Sequence, residues 1–220
     1  MKQYQTSESL PIGLLLAFAG GILDAYTYLN RGQVFATAET GNLVLLGIHL
    51  AQGKLEQALF YLFPILAFTA GVLTAELLRR HFEENFRHFH WRQAILAMEC
   101  LVLILVSLLP AGVWDPLANI LISFTSAMQI ESFRQFCGFP CATTMCTGNL
   151  RSGTDHLFRY LFHKHDAAGL KVLFYYGLIL TFVSGAVCCG LLSAILHQQT
   201  VLAAILPLFL AFLLMFYTKF

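Results

Sequence analysis

Charged side chains are scarce in this sequence: they make up 11% of its 220 residues, whereas hydrophobic residues make up 58%. Soluble domains average about 25% charged residues, which excludes a soluble globular protein, and intrinsic disorder requires low hydrophobicity and high charge. The 13 Lys and Arg residues barely outnumber the 12 Asp and Glu residues, so there is no basic excess for binding nucleic acid. Long apolar runs in place of short alternating strands exclude a membrane β-barrel. The sequence therefore predicts an all-α integral membrane protein.

The motifs of common catalytic and cofactor-binding sites are missing as well. The sequence has no nucleophile elbow, Walker loop, dinucleotide-binding fingerprint or paired-carboxylate motif, so we predict neither an enzyme nor a bound cofactor. Its six cysteines form no CxxC pair and its histidines follow no zinc-binding spacing. This pattern favours small buried thiols and predicts no metal site.

Six stretches are apolar and long enough to cross a bilayer, which takes about 20 residues in a helix. Two further segments, Val34–Gln52 and Pro140–Phe162, are half apolar, contain glycine and are interrupted by polar residues. Each of these two either spans the membrane, lies at its interface, or enters it and returns. The six predicted spans are Pro11–Leu29, Leu59–Leu78, Ala94–Val113, Pro116–Phe133, Val172–Leu196 and Val201–Thr218.

The basic residues indicate the orientation. The two links richest in Lys and Arg, Arg79–Arg92 and Arg134–Lys171, fall on one side of the membrane if six helices cross it. The links around Trp114 and His197 contain no Lys or Arg. Because basic links tend to stay in the cytoplasm, we predict six spans with both termini cytoplasmic and two segments that do not cross.

The sequence also contains an internal repeat. Thr40–Leu43 and Thr147–Leu150 have the same four residues, and the same offset of 107 pairs Thr37 with Thr144. Further along, the offset becomes 114, and small residues recur at every fourth position in both halves, as they do where membrane helices approach closely. Such stripes suit either internal packing or a homodimer contact. The paired positions are Ala67, Gly71 and Ala75 with Thr181, Gly185 and Cys189.

The repeat predicts the architecture. A single membrane domain, 1–220, would contain two halves at approximately 10–113 and 117–220, each with three spans and one broken segment. Because three is odd, the second half enters the bilayer from the opposite side. The fold class predicted is therefore a six-helix bundle built as a 3+3 inverted repeat, a plan that places substrate sites near the midplane of many transporters.

Acidic residues inside apolar stretches are the first candidates for function, since ionisable groups are costly in hydrocarbon. Asp24 and Glu131 lie toward the ends of the first and fourth spans and are paired by the offset of 107. Glu39 precedes the first Thr-Gly-Asn and has no acidic counterpart, so the two halves differ chemically. The alternative for the first two acids is an interfacial position, capped or paired with Arg31 or Arg134.

Two other acids are expected to be structural. Glu76 and Glu99 lie near span ends, each close in sequence to an arginine, Arg79 or Arg92. Long charged side chains near helix ends reach toward the lipid headgroups. We therefore expect both acids to form ion pairs at the membrane surface.

Thr-Gly-Asn, at 40–42 and 147–149, is interpreted as a turn followed by a short apolar helix. Glycine permits a tightly turned backbone, and Thr and Asn side chains cap free N–H groups at helix starts. A re-entrant half-helix has this shape, and its positive end would suit an anion, a carbonyl or water; the alternative is an ordinary interfacial turn. The candidate substrate-binding residues are Asp24, Glu39, Thr40, Gly41, Asn42, Glu131, Thr144, Thr147, Gly148 and Asn149.

The motifs resemble those of a known family. Gly20–Ala25, the aromatic stretch Tyr26–Leu29, and Phe35 leading into Thr40–Leu43 are similar to the YoaK-like family of small bacterial membrane proteins. The family motif maps onto Gly21, Asp24, Thr40, Gly41 and Asn42, while the acidic Glu39 departs from the expected pattern. The resemblance implies a multi-pass protein of the bacterial inner membrane and supplies no substrate.

The function expected from these features is a transporter or channel for a small polar or anionic solute, bound between the two Thr-Gly-Asn half-helices. Its partners would be the lipid bilayer and a solute or ion, and a homodimer stays open. One alternative is an accessory protein or scaffold, which would place both Thr-Gly-Asn segments flat at the headgroups. A third is a membrane-embedded enzyme, in which Asp24, Glu131 and histidines would meet in one cleft.

Overall fold

The fold is built almost entirely of α-helices. The computed structural model describes residues 6–85, 91–162 and 166–217. Short 3₁₀ helices occupy Thr6–Glu8 and His197–Ala204, and a hairpin pairs β1 (Gln135–Phe136) with β2 (Phe139–Pro140). The α-helices in these ranges are α1 (Leu10–Asn30), α2 (Glu39–Ala51), α3 (Leu55–Asn85), α4 (Trp91–Leu108), α5 (Asp115–Ser132), α6 (Cys146–Phe162), α7 (Asp166–Leu196) and α8 (Ile205–Tyr217).

Four stretches of the described chain are long and apolar enough to cross a membrane: Leu10–Asn30, Leu55–Phe82, Trp91–Leu108 and Ala168–Phe216. The last has 49 residues and covers both α7 and α8. Five of the six predicted spans overlap these stretches, and the fourth, which corresponds to α5, does not. That helix buries polar side chains against the rest of the bundle, among them Asn119, Ser123, Ser126 and Gln129. The all-α membrane class is thus established, and the count of six crossings stays a prediction.

Two predicted boundaries are wrong. The third predicted span continues to Val113, but α4 ends at Leu108, because Pro110 disfavours helical backbone at the residue before it. The sixth predicted span begins at Val201, whereas the 3₁₀ helix continues to Ala204 before α8 begins. Residue 218, the predicted end of that span, lies outside the described residues.

The two ambiguous segments form helices shorter than the hydrocarbon layer. α2 has 13 residues and α6 has 17, which at 1.5 Å per residue gives about 20 and 26 Å, against about 30 Å of hydrocarbon. The link that leads into α2 folds back along α1, where the Thr37 backbone N–H donates to Asp24 Oδ1 (2.9 Å). α2 therefore begins at depth, beside α1.

The packing follows a paired pattern. α1 packs against α7, and α5 packs against α3. In the same way, α2 packs on α3 and α6 on α7, while α1 also contacts α8 and α5 also contacts α4. If the first four helices correspond to the last four, as the repeat predicts, each of these pairs has its counterpart. Two ring stacks follow the same registers: His49 lies on Tyr61, with centroids 5.4 Å apart, and His156 lies on Tyr175, with centroids 5.9 Å apart.

Glycines let the helices of these pairs approach closely. A Cβ atom on Gly71 of α3 would lie 2.3 Å from the Phe124 carbonyl oxygen of α5, and one on Gly185 of α7 would lie 2.1 Å from the Phe18 carbonyl oxygen of α1. Both distances are far shorter than any real Cβ contact. The small-residue stripes therefore serve internal packing at these two glycines, which the sequence pairs at an offset of 114.

Candidate functional site

The starts of the two short helices converge on one buried polar group. Thr37, in the link before α2, donates its N–H to Asp24 and accepts a hydrogen bond at its carbonyl from Thr144 Oγ1 (3.4 Å), in the link before α6. Thr37 and Thr144 are the residues that the offset of 107 pairs. A Cβ on Gly20, at the midpoint of α1, would lie 2.4 Å from the Thr144 methyl group, so glycine there lets the second link reach α1.

Glu39 extends this polar group to α5. It is the first residue of α2, and its Oε2 accepts from Asn42 Nδ2 (2.7 Å) while its Oε1 accepts from Ser123 Oγ (3.1 Å) of α5. Its counterpart at the start of α6 is Cys146, two residues after Thr144. We call this set the junction: Asp24, Thr37, Glu39, Asn42, Ser123, Thr144 and Cys146.

Five of the seven junction residues are buried, and Glu39 and Cys146 are partly exposed. Thr37, Asn42 and Ser123 are fully buried, and Asp24 and Thr144 are 6% and 3% exposed. It joins α1, α2, α5 and the start of α6, and it lies near the middle of α1. The links before α2 and α6 thus meet at a specific polar centre.

The two asparagines hold the links and do not cap the helices. Asn42 Nδ2 donates to the Phe35 carbonyl (2.9 Å) and its Oδ1 accepts from the Phe35 N–H (3.2 Å). Asn149 Nδ2 donates in the same way to the carbonyl of Ala142 (2.7 Å), also seven residues earlier. Each asparagine therefore fixes the non-helical backbone that precedes its own helix.

The predicted turn at Thr-Gly-Asn is wrong. α2 begins at Glu39 and α6 at Cys146, so Thr-Gly-Asn lies in the first helical turn each time, and Thr40 and Thr147 are exposed. Gly41 and Gly148 have helical backbone as well. The glycines with positive φ are instead Gly32, Gly53, Gly112 and Gly138, all in links between elements.

The two central glycines also differ in their surroundings. A Cβ on Gly41 would lie 2.9 Å from the Phe35 ring, whereas nothing lies within 4 Å of one on Gly148. Gly41 therefore makes room for the link that Asn42 holds, and Gly148 is open.

Glu131, the predicted partner of Asp24, lies elsewhere. It forms an ion pair with Arg134, which also contacts Glu76, so the pairing with an arginine that the alternative expects is present for Glu131 and not for Asp24. Glu131 and Arg134 line a pocket of about 240 Å³ with Arg92 and Glu8. This pocket lies near the start of α1. The sequence cannot separate the two acids, since both follow the same register.

Of the two acids expected to form ion pairs at the membrane surface, only Glu76 forms one with its neighbouring arginine. It pairs with Arg79 (3.0 Å), as predicted. Glu99 is fully buried, and neither of its carboxyl oxygens has a hydrogen-bond partner in the described chain. Arg92 turns instead to Glu8 (3.3 Å), a residue 84 positions away that local sequence reasoning does not find.

A second buried ion pair was also missed. Arg31, at the end of α1, is fully buried and contacts Asp115 (3.0 Å) and the Tyr26 hydroxyl (2.8 Å). Its guanidinium also donates to carbonyls at the end of α4 and in the next link. A signal was present: Asp115 lies 107 residues after Glu8, so both acids occupy the same register and hold an arginine at opposite ends of the bundle.

Cysteines and histidines do not assemble a metal centre in the part of the chain that is described. All six cysteines are free thiols, and burial raises the pKa of the Cys141 thiol to about 12. Asp24 and Glu131 contact different residues, so they do not share a cleft. His88, His90, His163 and His165 lie outside the described ranges.

Comparisons with known proteins agree with this geometry on class and leave the activity open. Residues 12–214 match the family described as "Protein of unknown function (DUF1275)". The chain is 32% identical over 158 residues to UPF0700 transmembrane protein YoaK of Bacillus subtilis (strain 168), covering 68% of each chain. No solved structure matches. The chain therefore belongs to the DUF1275 family, YoaK-like membrane proteins of unknown function.

Proposed function

We propose that this chain is a membrane transporter or channel for a small polar solute, and that the solute binds at the junction. The observation that carries the proposal is the contact between Thr37 and Thr144, which brings the starts of two short helices together at a buried polar centre. Inverted-repeat transporters bind their substrates where such broken helices meet. Non-helical backbone at this depth is tolerated where it is buried in protein or lines a cavity.

The junction favours a solute that donates hydrogen bonds. Asp24 and Glu39 contribute carboxylates, and Thr37 contributes a backbone carbonyl. Acceptors of this kind suit a neutral polar or cationic solute better than the anion that the positive helix ends alone suggest. Glu131 drops out of the proposed site because it pairs with Arg134.

The two ends of the bundle fit an occluded state. Arg31 and Asp115 join α1, α4 and α5 at one end, and Glu8 and Arg92 join the start of α1 to the start of α4 at the other. In the proposed topology, six helices cross the inner membrane, both termini are cytoplasmic, and each ion pair closes one face.

Solute flux into proteoliposomes tests the proposal with a panel of small amines, amides, polyols and anions. We expect at least one neutral or cationic solute to enter faster than into empty liposomes. Asp24→Asn and Glu39→Gln should lower that flux about tenfold or more, because each removes a charge-assisted contact. Asn42→Ala and Asn149→Ala should lower it too, because they release the links.

Asp155→Asn is the matched control, since Asp155 lies on the exposed face of α6 and pairs only locally with Arg159 in the described contacts. It should leave flux unchanged. Flux that is unchanged in all four of these variants would exclude the junction as the site. If the folded protein transports no solute of the panel, the result favours the alternative of an accessory protein or scaffold.

A further inference from the structure

We propose that the junction binds one monovalent cation, either a proton or an alkali ion, between Asp24 and Glu39. This inference rests on the proposed function in that it names the coupling ion of the same site. It is tested by binding, so it does not depend on finding the transported solute.

The charges of the junction do not balance. Asp24 and Glu39 carry two negative charges when both are ionised. Glu39 is the first residue of α2, and Asp24 binds Thr37, which contacts Thr144, two residues before α6 begins, so each acid lies beside the positive end of one helix. A helix start is equivalent to roughly half a positive charge. The sum leaves about one negative charge without compensation.

No basic side chain of the described chain supplies the missing charge. Its ion pairs do not include Asp24 or Glu39, and Arg31, the nearest arginine in sequence, is engaged by Asp115 and Tyr26. The titratable groups that face the two acids are each other and the Cys146 thiol. A bound cation would provide what the protein's own side chains do not.

A buried hydroxyl points independently to a ligand. Thr37 is 0% exposed, and its hydroxyl makes no well-formed hydrogen bond within the described chain. The backbone of Thr37 contacts Asp24 and Thr144, and its side chain faces the Asp24 carboxyl. A buried hydroxyl without a partner is costly, so an ion that takes oxygen ligands beside Asp24 would satisfy this group.

The ligands that the junction offers favour a monovalent cation over a multivalent metal ion. In the described ranges no three His, Cys, Asp or Glu side chains are grouped to hold a metal ion, and the junction offers one carboxylate from each of two helices. Carboxylates, hydroxyls and backbone carbonyls at broken helices are the ligands that bind Na⁺ or H⁺ in transporters. Because Cys146 stands where the repeat would place a second Glu39, we expect one site and not a symmetric pair.

Thermal unfolding of the purified full-length protein tests the alkali ion. Na⁺, K⁺ and Li⁺ are compared with N-methylglucamine at constant ionic strength. At about ten times its Kd, the bound ion should raise the midpoint by roughly 3–6 °C. The shift should disappear in Asp24→Asn and Glu39→Gln and persist in Glu131→Gln, which changes the residue paired with Asp24 in sequence but not the junction.

Infrared difference spectroscopy between low and high pH tests the proton. If the ion is a proton, no alkali salt shifts the midpoint, and the wild type has a protonated carboxyl band that titrates and is missing in Asp24→Asn or Glu39→Gln. The proposal is wrong if neither the alkali shift nor this band depends on the two acids. Cation binding without any solute flux would support this inference and contradict the proposed function. Solute flux without cation binding would support the proposed function and contradict this inference.

Discussion

At the residue scale, close packing at glycine decides how α1 meets α7. Gly21 is buried, and a Cβ there would lie 2.0 Å from the Phe182 carbonyl oxygen. Backbone cannot yield as the end of a flexible side chain can, so any larger residue must push the helices apart.

We therefore expect Gly21→Ala to lower the free energy of unfolding by about 1–3 kcal/mol, despite the better helix propensity of alanine. Thermal unfolding in detergent measures this. Gly190→Ala on α7 is the matched control, because nothing lies within 4 Å of its added Cβ. That variant should be neutral or up to about 1 kcal/mol more stable. Equal effects at the two positions would contradict the packing described.

Glu99 is the residue whose position departs most from sequence reasoning. It lies seven residues from Arg92, two helical turns, and local pairing was expected; the arginine instead turns to Glu8. Which acid pairs with Arg92 depends on tertiary packing, which no local sequence pattern encodes. An ionised carboxylate without a partner at this depth would cost far more than the neutral acid.

Replacing Glu99 with methionine should therefore raise the free energy of unfolding by about 1–3 kcal/mol, because it removes a buried polar group without partners. Glu8→Gln is the comparison, since that side chain pairs with Arg92 and its loss should lower stability. Destabilisation by Glu99→Met in the same unfolding assay would mean that Glu99 has a partner that the described contacts lack.

At the element scale, the long helices were predictable and the roles of Thr-Gly-Asn were not. Continuous apolar runs specify α1, α3, α4 and α7 because length and hydropathy suffice. The predicted repeat singles out the two short segments, and Thr37 and Thr144, which its register pairs, are in contact. The repeat could not reveal that the asparagines bind the backbone seven residues earlier. Asparagine is equally suited to capping a helix start and to binding the link that precedes the helix, so the residue type does not distinguish the two roles.

Thiol labelling tests whether α2 returns to the face from which it entered. Gln33, Gln52 and Trp114 are exposed and lie in or beside the links that would share the outer face. Cysteines placed there one at a time, in a cysteine-free background, should react with an impermeant reagent from the same side. If α2 crosses the bilayer, the first would react from one side and the other two from the opposite side.

At the scale of the whole molecule, the pairs of packed helices follow the order that an inverted repeat predicts. α1 with α7 corresponds to α5 with α3, and the stacks of His49 on Tyr61 and His156 on Tyr175 correspond at offsets of 107 and 114. If the two halves are related as the repeat predicts, the proposed transporter would rock one half against the other, as inverted-repeat folds do to expose a fixed site to each face in turn.

The native Cys146 thiol tests the central claim most directly, since it lies at the junction and needs no known solute. With the other five cysteines replaced, its alkylation by an impermeant reagent is measured in spheroplasts and in inside-out vesicles. The account predicts slow labelling from both faces, because Cys146 is only partly exposed and the junction must open to each side in turn. A thiol that reacts from neither face while the protein stays folded would contradict it.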